Sequence, residues 1–429
     1  RFEMLKSRMR FWIVAAVAAA LTLGAAPRQS LAQSQEKVIK IGTIFPLTGP
    51  VALAGQRCKA AVETAVEIIN NKHPNIKVPL ANQAGLLGGY KIVLVHTDSQ
   101  GKPDVGKAEA ERLINQEGVW ALIGAYNSSV SGPASLVAER AKKIFMCGAS
   151  SAASLTQRKE MKYFFRTAST DEIESQEFID VLQWLNKTQK SANIKTLGII
   201  YENSVFGKNA SQQAMKAAAA GKFQVVADVP FNPGATNLDS EVQTLKAKNP
   251  DALFGAVLGA DYALMVKTMK KMNWLPKVSL NYCSGYQDPV IAKQLGADAD
   301  FFMGSTAYSP EFQSMMPAVA EVEKIFKSKT GGVPYDSDSI QETIALLVLA
   351  QAIEKAKSLD PTKVAETLYA NTWESPLSLS GKVAFVPGGQ NKYALSLITQ
   401  LQGGKYKKIF PTEKADTKPV FPMTPWDKR

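Results

Sequence analysis

The chain has 429 residues, a formal net charge of +12, 45% hydrophobic and 21% charged residues. That balance excludes a disordered or collagen-like chain, and the length exceeds what one hydrophobic core sustains, so two domains are expected. Lysines and arginines are scattered with no basic run dense enough for a nucleic-acid face, and three cysteines and two histidines leave little for metal or thiol chemistry.

Lys6, Arg8 and Arg10 precede the apolar run FWIVAAVAAALTLGAA at 11–26, and Ser30-Leu31-Ala32 follows. A basic flank, a mid-length apolar stretch and small residues before the cut mark a signal peptide over 1–32, cleaved after Ala32. The run falls short of the about 18 to 20 apolar residues that span a bilayer, and no cysteine follows the cut to make a lipoprotein. Five basic residues against Glu3 lie in 1–32, so their removal lowers the net charge by four, to +8. A periplasmic location is expected, with Cys58, Cys147 and Cys283 as three buried, unpaired thiols.

From residue 38 onward strand and helix patterns alternate. VIKIGTIF (38–45) is an apolar strand, and Cys58, Ala61, Val62, Ala65, Val66 and Ile69 then line one helical face. Strand KIVLVHTD, helix PDVGKAEAERLINQEG, strand VWALIGAY, helix GPASLVAERAK (132–142) and strand IFMCGA complete a first α/β unit. After a break at 165–167 the order repeats, from strand TLGIIYE through helix VFGKNASQQAMKAAAA to strand KVSLNYCS at 277–284. Strands alternating with helices of this length indicate parallel βαβ units with right-handed crossovers. The near-continuous apolar strands fit sheets covered by helices on both faces. IQETIALLVLAQAIEKA (340–356) is apolar nearly all round and is expected as a buried core helix. HPNIKVPLANQAGLLGGYK (73–91) is expected as a surface excursion, with a role at a cleft rim the alternative. The proline-rich stretch from 416 to 429 is expected as a tail or surface strap.

Two runs of small hydroxyl residues, Ser128-Ser129 and Ser150-Ser151, follow successive strands of the first unit. In an open parallel sheet ligands bind beyond the carboxyl ends of the strands, and helix N-termini there favour anions. One such serine is ordinarily only an N-cap; two runs on neighbouring strands point to loops that hold a small anion. Three charge-assisted hydrogen bonds at ~1.5–3 kcal/mol each give ~5–9 kcal/mol before association costs. Micromolar affinity needs about 8 kcal/mol net, so the second unit must cover the ligand as well.

The order of units, the opening IGTIFPLTGPVALAG and the stretch 124–156 resemble the periplasmic leucine/isoleucine/valine-binding proteins, the type I solute receptors of ABC importers. The resemblance runs from about 38 to 410. It implies two similar Rossmann-like lobes, 38–167 with 306–375 and 168–305 with 376–415, joined by a three-strand hinge that closes on the ligand. It also implies ABC permease subunits as partners and a monomer. By the resemblance Ser128 and Ser151 bind the ligand carboxylate, Ala149 donates its backbone N–H, and Phe206 covers the ligand from lobe two in place of a tyrosine. Asn127, Ser129 and Ser150 stand beside them in the two loops. The family's other tyrosines fall on Ala54 and Leu258, and its ammonium-pairing glutamate falls near Ser284, with Asp288 and Asp261 close in sequence. Without a carboxylate there, a buried ammonium would go unpaired, which favours a carboxylate or amide lacking an α-amino group. Glu202 reads first as a hinge or cap residue. The disulfide cysteines of the family are absent, with Ser99 or Gln100 and Asn127 in their places.

An enzyme is not expected. His73 precedes a proline and His96 sits inside a strand, and no GxSxG, HExxH, GxxxxGK[ST] or GxGxxG occurs to bring a nucleophile, metal or cofactor. An exported sensor of amides or organic acids with the same fold is the alternative to a transport receptor.

Overall fold

A computed structural model of the protein describes residues 37–429, with the side chains of Cys283 and Ser284 outside the described set. The signal peptide falls in the part not described. In chain order the first unit runs β1 (Val38–Phe45), α1 (Ala52–Asn70), β2 (Lys91–Asp98), α2 (Pro103–Asn115), β3 (Ala121–Gly124), α3 (Ser128–Arg140), β4 (Ile144–Cys147) and β5 (Phe164–Arg166). The second runs α4 (Asp171–Thr188), β6 (Thr196–Glu202), α5 (Val205–Ala220), β7 (Gln224–Phe231), α6 (Asp239–Lys248), β8 (Ala252–Ala256), α7 (Gly259–Lys271), β9 (Val278–Asn281), α8 (Cys283–Gln287), α9 (Pro289–Leu295) and β10 (Met303–Thr306). Then follow α10 (Val319–Lys329), α11 (Ser337–Ala356), α12 (Pro361–Ala370), the hairpin β11 (Trp373–Glu374) and β12 (Lys382–Val383), β13 (Phe385–Val386), β14 (Gln390–Asn391), β15 (Leu397–Gln402) and β16 (Lys405–Phe410).

Two seven-stranded sheets result, ordered β13-β14-β5-β4-β3-β1-β2 and β16-β15-β10-β9-β8-β6-β7. Within each, the five βα strands pair in parallel and reverse direction of winding at the first strand. Their carboxyl ends carry the loops that matter below. β3, β4 and β8 are buried on both faces, as their unbroken apolar runs require, and β9 is buried throughout as well. α11 is buried on nearly all sides and packs on α1, β3 and β4. Among the described residues no helix is long and apolar enough to cross a membrane.

Two expectations shift. The helix after β3 starts at Ser128, four residues before the start read from the sequence, with Pro133 inside it. Proline in the second turn forfeits one hydrogen bond, to the carbonyl of Ser129, and the gain is that both serines sit in the helix's first turn. The last crossing between sheets does not come after 375: β13 and β14 still belong to the first sheet, with Gln390 paired to Arg166, so the chain crosses between Asn391 and Leu397. Two-residue strands are too short to show a period of two. The 73–91 excursion is held down on α11, where Glu354 Oε1 accepts the Leu87 N–H at 2.5 Å and Gln83 Nε2 at 3.2 Å. The C-terminal stretch is a strap: Met423 N–H donates to the Lys277 carbonyl at 2.9 Å and Trp426 Nε1 to the Trp274 carbonyl at 3.2 Å. Cys58 and Cys147 are buried free thiols.

Candidate functional site

Beyond the carboxyl ends of β3, β4, β6 and β8 lies a cavity of about 320 Å³. Its first-unit wall is Asn127, Ser128 and Ser129 from the start of α3, Ala149 and Ser151 from the loop after β4, and Asp338 from the first turn of α11. Glu202, Ser204, Phe206 and Leu258 of the second unit face them. Seven of the ten residues singled out from the sequence therefore share one space.

The other three do not. Ser150 is 1% exposed and points into its own loop. The Ala125 N–H donates to Ser131 Oγ at 3.0 Å, Ser131 and Ser150 hydroxyls meet at 2.7 Å, and Ser150 Oγ donates to the Tyr126 carbonyl at 2.9 Å. This relay holds Tyr126, a cavity-lining residue at a left-handed φ of 68° that costs an aromatic residue free energy. Successive residues of an extended segment point opposite ways, so one serine of the pair had to turn inward. Ser150→Ala is expected to cost about 1–3 kcal/mol, because it leaves buried partners unsatisfied; urea unfolding checks it. Ala54 is buried in the core face of α1 and does not line the cavity. Ser284 has its backbone in α8 and its side chain outside the described residues.

The loop that carries Ala149 and Ser151 is pinned from below by Arg166, which is fully buried. Its guanidinium donates to the carbonyls of Ser150 at 3.0 Å and Ala152 at 2.7 Å, to Thr156 Oγ1 at 2.8 Å and to Gln390 Oε1 at 2.8 Å. Ser128 Oγ accepts the Ala152 N–H at 3.3 Å, which leaves the hydroxyl proton to donate elsewhere. The first turn of α3 adds N–H groups without helical partners and the positive end of the helix dipole. On this wall the cavity is a donor surface. Across it, the Ala153 N–H donates to Asn209 Oδ1 of α5 at 2.8 Å, tying the two units together.

The acidic residues are the part that sequence reasoning missed or misplaced. Asp261 accepts the Gly234 N–H at 2.8 Å and Asp288 caps α9, accepting Val290 N–H at 2.8 Å; neither lines the cavity. Glu202 does, with Oε1 accepting the Ser204 hydroxyl at 2.5 Å, and burial pushes its carboxyl up to about 7 against the pull of Ser204. Asp338, not singled out from the sequence, is also pushed up, by burial and then by the neighbouring Asp336, against Arg57. Its signal was an acid in the first turn of an otherwise apolar helix. Beneath the loop, Gly148 N–H donates to Glu342 Oε1 at 3.2 Å. Burial raises Glu342 to about 8 against the Gly148 and Ala149 N–H groups. Among the described residues no group of three or more His, Cys, Asp or Glu side chains could hold a metal ion.

A donor wall at paired strand ends, faced by an aromatic and a leucine from a second unit of the same topology, is the geometry of a solute receptor, and the family model for periplasmic binding proteins matches residues 38–405. The chain belongs to the periplasmic binding protein family. Among relatives of this periplasmic binding protein, the Leu/Ile/Val-binding protein homolog 8 of Brucella abortus is 27% identical over 393 residues, covering 89% of this chain and 93% of that one. Its fold is similar to that of a leucine-binding protein from Thermotoga maritima, at TM-score 0.73 and 21% identity over 86% of this chain and 97% of the other. It is also similar to a solute-binding protein of an R. palustris ABC transporter in complex with benzoate, at TM-score 0.74 and 17% identity, over 87% and 95% of the two chains. The fold is the type I periplasmic binding protein fold.

Proposed function

We propose that this periplasmic binding protein is the extracytoplasmic receptor of an ABC importer and captures a small carboxylate-bearing solute, an amino acid or a related organic or aromatic acid. The observation that carries the reading is the shared cavity: Ser128, Ser129, Ala149 and Ser151 on one wall, Phe206 and Leu258 on the other. The donor wall suits a carboxylate and the apolar wall suits a hydrocarbon body. The proteins of like fold include one named for leucine and one holding benzoate, both carboxylates. Binding closes the two units on the solute, and the permease subunits take the closed form as their partner.

Ser128→Ala removes one hydroxyl donor to the carboxylate while leaving the fold's ion pairs and core untouched. It is expected to weaken solute binding by about 10- to 100-fold, the worth of one hydrogen bond to a charged group, and to cost the free protein about 1 kcal/mol or somewhat more, because the buried Ala152 N–H loses its acceptor. Calorimetric titration of wild type and variant with leucine and with benzoate checks it. A wild-type protein that binds neither these nor any other small carboxylate, or a variant that binds as tightly as wild type, would sink the reading. Deleting the cognate permease tests the transport role: uptake of the bound solute should disappear.

A further inference from the structure

Beside the first cavity lies a second, of about 350 Å³, which shares Ala149, Ser151 and Asp338 with it. It sits where the chain passes between the units. Ala168 and Ser169 belong to the first crossing, between β5 and α4, Ala307 to the second, after β10, and Ser396 to the third, before β15. Two acidic side chains face this space, Glu174 of α4, which is 5% exposed, and Asp338 of α11. Gln287 of α8 is 7% exposed, and its Nε2 donates to the Ser305 carbonyl, which leaves Oε1 as a buried acceptor with no donor. The buried Ser169 Oγ has no hydrogen-bond partner either. Among the described residues no lysine, arginine or histidine lines the cavity. The strongest charged neighbours of Glu174 are Asp171, Glu177 and Asp338, all acidic. The buried Arg57 is committed to Asp288 and Asp336 at 2.6 Å each.

We infer that this second cavity is a binding site for a monovalent alkali cation, held among Glu174, Asp338 and Gln287 Oε1, with Ser169 Oγ as a further oxygen. The site takes no atom of the solute, so it goes beyond the carboxylate reading and stands whether or not that reading holds. A water molecule could donate to Gln287 Oε1, but it brings no charge to a space that holds two acids and no base. The same acids repel an anion. Carboxylate, amide and hydroxyl oxygens, with no nitrogen or sulfur ligand among them, suit a hard cation. A divalent ion asks for more: Ca²⁺ takes about six to eight oxygens, several of them from carboxylates. Among the described residues no group of three or more His, Cys, Asp or Glu side chains could hold one. A single charge is matched by two carboxyl groups and the neutral oxygens beside them. Asp338 belongs to the first unit and Glu174 and Gln287 to the second. The ion therefore touches both units at the hinge, and its binding is linked to the angle between them.

The test is thermal unfolding of the purified protein, with no solute added, in lithium, sodium, potassium or choline chloride at one ionic strength. The wild type is expected to unfold about 2 °C or more higher in sodium or potassium chloride than in choline chloride, the mass-action shift of a ligand present at many times its Kd. The larger of the two rises names the ion. Glu174→Gln and Asp338→Asn keep the side-chain size and remove one carboxylate each, and both should erase the difference between salts. Asp239→Asn, which alters a surface acid paired with Lys271, should keep it. Each midpoint is compared with that of the same variant in choline chloride, so a stability change from the substitution itself does not enter. Equal midpoints in all four salts would overturn the inference, and so would a sodium or potassium rise that survives in both acid variants. A larger rise in calcium chloride at the same ionic strength would overturn the assignment to a monovalent ion. Failure to bind leucine, benzoate or any other small carboxylate would sink the carboxylate reading and leave these midpoints as they are, so the two failures are told apart.

Discussion

Arg57→Met is expected to cost about 3–5 kcal/mol of folding stability, the usual cost of stranding buried charges by removing their partner. Arg57 projects from α1 and is almost wholly buried. Its Nη2 lies 2.6 Å from Asp288 Oδ2 and its Nε 2.6 Å from Asp336 Oδ2. Burial disfavours the guanidinium's charge, and Asp336 and Asp288 more than offset that, so its pKa stands above the ordinary value. Each carboxylate spends its other oxygen on a helix start. Asp288 Oδ1 accepts the N–H groups of Val290 and Ile291 at the head of α9, and Asp336 Oδ1 accepts the Ser339 N–H at 2.8 Å in the capping box of α11. Asp288 lies in the second sheet's last parallel crossover, between β9 and β10, and Asp336 opens the helix that packs on the first sheet, so one guanidinium joins both units. Urea unfolding of Arg57→Met against wild type gives the loss, and the triple change Arg57→Met/Asp288→Asn/Asp336→Asn should recover much of it, since neutral amides keep the caps. A single-variant loss below about 1 kcal/mol would mean that the triad is solvated and contributes as an exposed pair does.

Much of this was legible in the sequence, because the signals were local and repeated. VIKIGTIF, TLGIIYE and the helices after them carry the periods of strand and helix, and two copies of the order specify two sheets. The serine pairs at 128–129 and 150–151 were legible as cleft loops by their place after strands, down to Ser128, Ser129 and Ser151 lining one cavity. What was not legible depends on direction or on distance along the chain. Ser150 differs from Ser151 only in which way its side chain turns. Ala54 sits in the first turn of α1, where register decides between core and cleft. Asp338 and Glu174 reach the cavities from 187 or more residues and from 23 residues beyond Ser151, respectively, and no spacing rule joins them. β14 joins the first sheet through one pair of residues and β13 pairs with β14 through two, so their lobe could not be read from pattern.

The protein is expected to be more stable at pH 5 than at pH 8, because several of its buried carboxyls fold best protonated. Asp171 is pushed up to about 7 by burial, against the Ser151 hydroxyl and Arg166. Burial raises Glu177 to about 7, against the Ser396 hydroxyl, and Glu202 to about 7 and Glu342 to about 8 in the same way. A carboxyl whose folded pKa lies above its unfolded value binds its proton more tightly in the native chain. Its stabilisation is whole below about pH 4 and is lost as the pH climbs through 7 to 8. At 1.36 kcal/mol per unit, Asp171 alone contributes about 4 kcal/mol across that interval. The opposing groups act lower: His96 first, then Lys59, hold Glu63 down at about 2, and the Lys277 ammonium with the Lys195 and Thr196 N–H groups outweighs burial at Asp251. Their stabilisation is present above about pH 4 and fails only in stronger acid, so the optimum falls between about pH 4 and 6. Urea unfolding at pH 5, 6.5 and 8 checks the slope, and Glu342→Gln should flatten it by removing the highest-titrating of the four. A stability that rises from pH 5 to 8 would show that these carboxyls are ionised and paired in the native chain.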